Sequence, residues 1–332
     1  MLFGGVVVDV GLKASLVGNG EASEKMIRFA EKAAKSDYTI LLLGESGVGK
    51  DHLAHLIHNE GRGKIGKRFV PFDCGCVDPE LFASELFGHE KGSFTGAVSN
   101  KDGLVAVANE GTLFFNEIAN IPMHIQPRFL RVLEKRSYRR VGGTAEHDID
   151  TRIIAATNAN LAEMVKAGTM RSDVYYRLNV IPYRIPALRE RREDIVSIAE
   201  YFLRELHVSK VFDQRVARIL TDYTWPGNIR ELRSAIVHAV FDSEDGEVIE
   251  PKHLPIELSG PVPPVVYGQT ILLHSEHMKQ YYMDLITAAR GNKTLAARLS
   301  GLDFHTIRHN LRKYKLVEYA ALLSVEESCE KS

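Results

Sequence analysis

The sequence predicts an α/β protein built on a parallel sheet with a phosphate-binding loop, followed by two all-helical units. Three observations carry this. From about residue 38 to 185, apolar β-rich runs alternate with amphipathic helical stretches, the pattern of parallel strands joined by crossover helices. From about 190 to 258 the β signal stops and only helical periodicity remains. Residues 259–270, SGPVPPVVYGQT, are rich in Pro and Gly and read as a linker to a last compact helical stretch at about 272–317.

Taken in order, MLFGGVVVDVGLKASLVG is apolar but has no basic stretch ahead of it and no convincing cleavage site, so it reads as an extended segment, not a signal peptide. YTILLL (38–43), RFVPF (68–72), GTLFF (111–115), TRIIAAT (151–157) and NVIPYRI (179–185) read as strands. DHLAHLIHNE (51–60) and QPRFLRVLEKR (126–136) read as helices between them. REDIVSIAEYFLRELH, DQRVARILTDY and GNIRELRSAIVHAVF supply the first helical unit. The last residues, SVEESCEKS, are polar and are expected to fray.

Composition sets bounds on function. The chain has 332 residues, 45% hydrophobic and 26% charged, with a formal net charge of −1, which fits a globular protein with a real core and no strong overall charge bias. No run of 18 apolar residues exists, so no membrane span and no membrane partner are expected. Cys74, Cys76 and Cys329 make an odd count without metal spacing. They read as packing cysteines in a reducing cytosol, not as a zinc site.

The strand YTILLL runs into Gly44-Glu45-Ser46-Gly47-Val48-Gly49-Lys50 and then a helix. This is GxxxxGK in strand–loop–helix context, in which backbone N–H groups curl around phosphate oxygens and the lysine reaches the outer phosphates. The ligand expected is a nucleoside triphosphate with Mg²⁺. The position after the lysine, commonly Ser or Thr on the metal, is Asp51 here.

GTLFFNEI (111–118) reads as the strand that ends in paired acids beside the nucleotide. The first acid ordinarily holds the metal's water shell and the second orients the attacking water. Here the first is Asn116 and the second is Glu117. An uncharged amide is a weaker partner for a hard dication, so impaired metal placement and slower hydrolysis are expected unless a neighbouring acid such as Asp73 compensates.

ELFGHEKGSFTGA (85–97), GTLFFNEI, TRIIAATN (151–158), RSDVYYRLNV (171–180) and WPGNIREL (225–232) stand together in one order that resembles the sigma-54-dependent activators, or bacterial enhancer-binding proteins, over about residues 16–317. The resemblance implies an AAA+ ATPase core at 16–188 behind an N-terminal extension at 1–15. It also implies an all-helical lid at 189–258, a linker at 259–271, a Fis-type helix-turn-helix domain at 272–318 and a tail at 319–332. It implies ATP and Mg²⁺ as cofactors and a homo-oligomer, from dimer to hexameric ring, working on sigma-54 RNA polymerase in the cytoplasm. Gly92-Ser93-Phe94-Thr95-Gly96-Ala97 is similar to the family loop GAFTGA, with Ser93 in place of an alanine; this loop is the expected sigma-54 contact, Phe94 its apolar tip.

Further roles follow from the resemblance, residue by residue. Arg171 and Arg177 match arginines that reach the neighbouring subunit's ATP, a task suited to a guanidinium that stays charged and spreads its donors. Arg230 matches the lid arginine that senses nucleotide, and Asn158 the polar residue between metal site and subunit boundary. Asp73, in PFDC, stands where the family usually has an asparagine that restrains the catalytic glutamate. Asp for Asn at 73 and Asn for Asp at 116 suggest a coupled exchange that keeps the carboxylate count; the rival reading is a degenerate Asn116 that traps ATP.

Residues 290–315, RGNKTLAARLSGLDFHTIRHNLRKYK, resemble a Fis-type helix-turn-helix, with Ala296 and Ala297 at the helix crossing and Gly301 at the turn. Between 275 and 317 eight Lys and Arg face three Asp and Glu, a local excess suited to the phosphates of double-stranded DNA. His305, Thr306, Arg308, His309 and Arg312 are the candidate DNA contacts. With few residues ahead of the ATPase region, control is expected from a separate protein or from a domain outside these residues. Two other readings stay open: a DNA-binding regulator with a feeble ATPase, favoured by Asn116, and a different AAA+ remodeller, opposed by the GSFTGA loop.

Overall fold

The computed structural model describes residues 18–62, 66–244, 246–255 and 258, and scattered positions between 282 and 316. The chain divides into two compact units at Val262/Pro263. The candidate DNA contacts His305, Thr306, Arg308, His309 and Arg312, the extension 1–15 and the tail lie outside the described residues.

The first unit opens with helix α1 (Glu21–Ala34), which turns Met26, Ala30 and Ala33 inward. Five strands then build one parallel sheet: β1 (Ile40–Leu43), β2 (Phe69–Asp73), β3 (Thr112–Asn116), β4 (Arg152–Thr157) and β5 (Ile181–Arg184), in the spatial order β2-β3-β4-β1-β5. All six residues of β4 are buried, as a central parallel strand covered on both faces must be. The placement of β1 beyond β4 makes a topological switch next to the strand that feeds the phosphate loop. In open α/β sheets ligands bind at such a crevice, outside the carboxyl ends of the strands.

Helices cover both faces. On one lie α1 and α2 (Lys50–Glu60), packed with Ile40, Leu42, Phe114, Ile154 and Ala156. On the other lie α3 (Phe82–Phe87), α4 (Leu104–Val107), α5 (Gln126–Lys135), α6 (Leu161–Lys166) and α7 (Ser172–Leu178), around Phe72, Phe115 and Phe129. Asn160 caps α6 through its side chain, accepting from the Ala162 and Glu163 amides, which satisfies donors that a helix start leaves open.

The lid is made of α8 (Ile195–Glu205), α9 (Gln214–Asp222) and α10 (Asn228–Asp242). It has its own core around fully buried Trp225, whose indole N–H donates to the Leu220 carbonyl at 2.7 Å. Lid and sheet domain are joined by a buried carboxylate: Asp194 accepts from the Gly20 amide at 2.6 Å and the Ser23 hydroxyl at 2.7 Å, at the start of α1. No helix among the described residues is long and apolar enough to cross a membrane. In the second unit, Tyr282, Ile286, Ala289, Ala296, Leu311 and Leu316 are buried.

Candidate nucleotide site

The loop between β1 and α2 has the backbone its glycines predict. Gly47 and Gly49 take positive φ of 77° and 99°, a region where a side chain is strained. A Cβ on Gly47 would also come within 2.4 Å of the Gly227 carbonyl oxygen. Gly49 ends the loop as the N-cap of α2, and no side chain caps that N-terminus. The amides of the first turn, with the helix dipole behind them, are therefore available to an anion.

Lys50 is buried, and its Nζ lies 3.1 Å and 3.3 Å from the Gly44 and Glu45 carbonyl oxygens and 3.3 Å from Glu117 Oε1. Glu117 follows the end of β3 in a left-handed conformation, φ 50°, and its other oxygen accepts from the Asn158 amide at 3.3 Å. The lysine thus sits folded onto its own loop and onto the carboxylate that points at the cavity.

A cavity of about 360 Å³ opens beside this loop, within the usual range for a small-molecule site. Ser46, Gly47, Gly49, Lys50, Asp51, His52, Asn116 and Glu117 line it from the sheet domain. Tyr201, Phe202, Glu205, Ile229, Arg230 and Arg233 line it from the lid. Loop amides and Lys50 stand on one side, and on the lid side Tyr201, Phe202 and Ile229 give apolar surface beside the charged Glu205, Arg230 and Arg233.

The lid holds the loop directly. Arg189 pairs with Glu45 through both guanidinium nitrogens, at 2.8 Å and 2.5 Å. Buried Asn228 donates to the same carboxylate and to the Ser46 carbonyl, each at 3.1 Å, and accepts from the Leu188 amide at 2.8 Å. The Ile229 amide donates to the Gly47 carbonyl at 3.0 Å, and Arg230 donates to the Ser46 hydroxyl at 2.9 Å. Arg191 donates to the Val48 carbonyl at 3.0 Å, its burial pulling the guanidinium pKa down to about 10.

Several expected residues stand elsewhere than at the cavity. Val48 is fully buried, so its side chain anchors the loop and only its backbone remains for a ligand. Gly44, Glu45 and Asn158 line a separate cleft, and the Glu45 side chain is paired with Arg189. Asp73 lies behind Asn116, whose side-chain amide donates to it at 3.1 Å. The sequence alone does not mark the lid residues Arg189, Asn228, Tyr201 and Arg233, which the structure brings to the loop or the cavity. Asn228, inside WPGNIREL, was legible only through its motif; the others carry no local signal.

Arg171 and Arg177 line no part of the chain's own cavity. They are exposed on α7 and its N-cap, paired with Asp173 and Glu134, each at 2.8 Å. The segment 92–97 forms a separate tight loop: Gly92 and Gly96 take φ of 81° and 100°, and the Gly92 amide donates to the Ala97 carbonyl at 2.8 Å. Phe94 is 39% exposed and stacks edge-on against His89, ring centroids 5.0 Å apart. Thr95 is exposed beside it, Ser93 half-buried and Ala97 buried.

Metal chemistry fits this donor set. Asp51, Asn116 and Glu117 offer oxygen ligands, the class Mg²⁺ prefers, and Mg²⁺ keeps several waters and leans on substrate phosphates. No group of three His, Cys, Asp or Glu that could hold a metal ion occurs among the described residues.

Comparison with known proteins supplies the family. Residues 16–184 match the model of the sigma-54 interaction domain, and residues 189–264 that of the AAA+ ATPase lid domain. The chain is 40% identical to nitrogen fixation protein VnfA of Azotobacter vinelandii, over 91% of this chain and 59% of that protein. It is 40% identical to response regulator protein PilR of Pseudomonas aeruginosa, over 85% and 65%, and 37% identical to regulatory protein AtoC of Escherichia coli, over 90% and 67%. The chain thus spans about three fifths to two thirds of the curated relatives it matches. A crystal structure of NtrX from Brucella abortus in complex with ATP superposes with a TM-score of 0.68 at 29% identity, covering 90% of this chain and 69% of that one.

Proposed function

This chain belongs to the family of sigma-54-dependent transcriptional activators, built on the AAA+ ATPase core and lid, and we propose that it is itself such an activator: a cytoplasmic ATPase that assembles into a ring and remodels sigma-54 RNA polymerase. The observation that carries the proposal is the cavity in which Lys50, Glu117 and Arg230 converge between sheet domain and lid. ATP fits it by chemistry. Loop amides and Lys50 would take the phosphates, Asn116 and Glu117 with Asp51 would hold Mg²⁺ through its waters, and Tyr201, Phe202 and Ile229 would wall the base. When bound, Mg²⁺ neutralises phosphate charge and fixes the phosphate geometry.

Within the chain, Glu117 is the group placed to accept a proton from an attacking water. Lys50 now shares that carboxylate, and a phosphate offers the ammonium stronger charge. Arrival of ATP therefore frees Glu117 to face the water. Arg230, held at the loop by the Ser46 hydroxyl and lining the same cavity, is the lid group that would report the state of the phosphates. Arg171 and Arg177, exposed and outside their own cavity, are the groups offered to the ATP of an adjoining copy.

The loop 92–97 is the proposed sigma-54 contact, with Phe94 its apolar tip. Binding to upstream double-stranded DNA through His305, Thr306, Arg308, His309 and Arg312 rests on the basic sequence at 275–317. The test is promoter opening by sigma-54 polymerase in the presence of the purified protein. ATP must be required, and a non-hydrolysable analogue must fail; opening without ATP would reject the proposal.

A further inference from the structure

The residue that lines the cavity at the end of β3 is an amide, Asn116, and it is not alone. Strands β2 and β3 pair in parallel with Asp73 directly opposite Asn116, so the two side chains leave the same face of the sheet at its C-terminal edge, about 4.8 Å apart along the ladder. Asn116 Nδ2 donates to Asp73 Oδ2 at 3.1 Å, while Asp73 Oδ1 accepts the Gly75 amide at 2.9 Å. The backbone ladder runs on one step further, the Cys74 amide donating to the Asn116 carbonyl at 3.0 Å. Both ends of the carboxylate are therefore occupied by donors, and its orientation is set.

That contact decides which way the amide points. A carboxylate only accepts, whereas an Asn side chain both donates and accepts. Asp73 must therefore draw the NH₂ group, which leaves Asn116 Oδ1 for the cavity that Asn116 lines. With an uncharged partner at 73, the amide could turn either way and present N–H groups to a cation. A hydrogen bond to an ionised acceptor is also stronger than a neutral one and polarises the amide that makes it. The carbonyl end of Asn116 gains electron density at the cost of the end facing Asp73.

The geometry points to Asp73 as a positioning residue for the metal: it and Asn116 act as one unit, the carboxylate supplying the charge and the amide oxygen delivering it to the water shell of Mg²⁺ beside ATP. This rests on the nucleotide reading above and adds to it that the missing acid at 116 is replaced by its neighbour across the ladder. Restraint of Glu117 passes to Lys50 and the Asn158 amide, because a carboxylate at 73 offers Glu117 no donor.

The test reads metal-coupled binding, not turnover. ATP dissociation constants are measured by calorimetry for the full chain in Mg²⁺ and in EDTA, for the unsubstituted protein, Asp73→Asn, and the exchange Asp73→Asn/Asn116→Asp. The expected result is that Mg²⁺ tightens ATP binding to the unsubstituted protein. Asp73→Asn should lose about tenfold of that tightening, the loss expected for one hydrogen bond to a charged group, while its affinity in EDTA holds. The exchange variant should regain it. Mg²⁺ tightening that survives in Asp73→Asn, or that the exchange does not restore, overturns the inference. So does loss of EDTA affinity in Asp73→Asn, which makes Asp73 a part of the fold only. Failure of the unsubstituted protein to bind ATP in either buffer overturns the nucleotide reading and this one with it.

Discussion

Lys50 Nζ and Glu117 Oε1, both lining the cavity, lie 3.3 Å apart, the lysine almost wholly buried and the glutamate a quarter exposed. The two groups most needed for chemistry thus hold each other. Replacing Glu117 by Gln keeps the size and removes the base, so ATP binding should persist while hydrolysis falls by about 10²- to 10⁴-fold. Lys50→Ala should lose ATP binding itself. Equilibrium binding of a fluorescent ATP analogue beside phosphate release separates the two; a Glu117→Gln protein that still turns over at the parent rate removes Glu117 from the mechanism.

The lid's grip on the loop runs through Glu45. Arg189 truncated to Ala leaves that carboxylate without its forked partner, at a cost of about 1.5–3 kcal/mol for a hydrogen bond to a charged group. Both side chains are about a quarter to a third exposed, so solvent screening places the effect at the lower end. ATP affinity should weaken by about tenfold. Arg189→Lys should rescue only in part, because an ammonium cannot reproduce the two parallel bonds. Full rescue by Lys would mean that charge alone, not the fork, matters.

Phe94 sits apart from the nucleotide cavity, packed on His89, which in turn shares a 2.8 Å hydrogen bond with the Ser84 hydroxyl. Phe94→Ala should leave ATP turnover at the parent level and abolish retention of sigma-54 in the presence of an ATP transition-state mimic. Co-elution on a sizing column reads this directly, and undiminished co-elution would place the contact elsewhere.

A pH dependence follows from α2. His58 is buried against Thr112 and the Lys67 carbonyl, and burial pushes its pKa down to about 4. Burial lowers His52 and His55 as well. An unfolded histidine takes its proton near pH 6.5; the folded one refuses it until about pH 4. The unfolded chain therefore binds more protons in that window, and stability falls as pH drops through it. For His58 the loss is up to about 3 kcal/mol across the window. Urea midpoints measured from pH 7 to 5, above the range where most carboxylates protonate, should decline, and less steeply in His58→Gln. A flat profile would contradict the assignment.

Much of this architecture was readable from sequence because its signals are local. The helix read at QPRFLRVLEKR forms as Gln126–Lys135, and the loop GESGVGK delivers Lys50 to the start of α2. The strand read at 68–72 forms as Phe69–Asp73, a one-residue shift that places Asp73 inside the ladder beside Asn116. What sequence does not display is contact between distant segments. Arg189 and Glu45 lie 144 positions apart, and nothing in LRERRED or GESG names the other. The motif names Glu45 and Val48 but not where their side chains go: Glu45 pairs with Arg189 of the lid and Val48 packs into the core, leaving their backbone to the loop. The mutual substitution at Asp73 and Asn116 points to coupling, and the register of β2 on β3 supplies the physical link.

In the proposed ring two copies of the chain build each ATP site, one giving Lys50 and Glu117, the other Arg171 and Arg177. Mixing Lys50→Ala protein, which keeps its arginines, with Arg177→Ala protein, which keeps its own cavity, tests it most directly. Each alone should be inactive, and ATP hydrolysis should reappear on mixing and rise with total protein concentration. Arg177→Ala protein that hydrolyses ATP by itself, or a mixture that stays inactive while mixed assemblies form, would contradict the shared site.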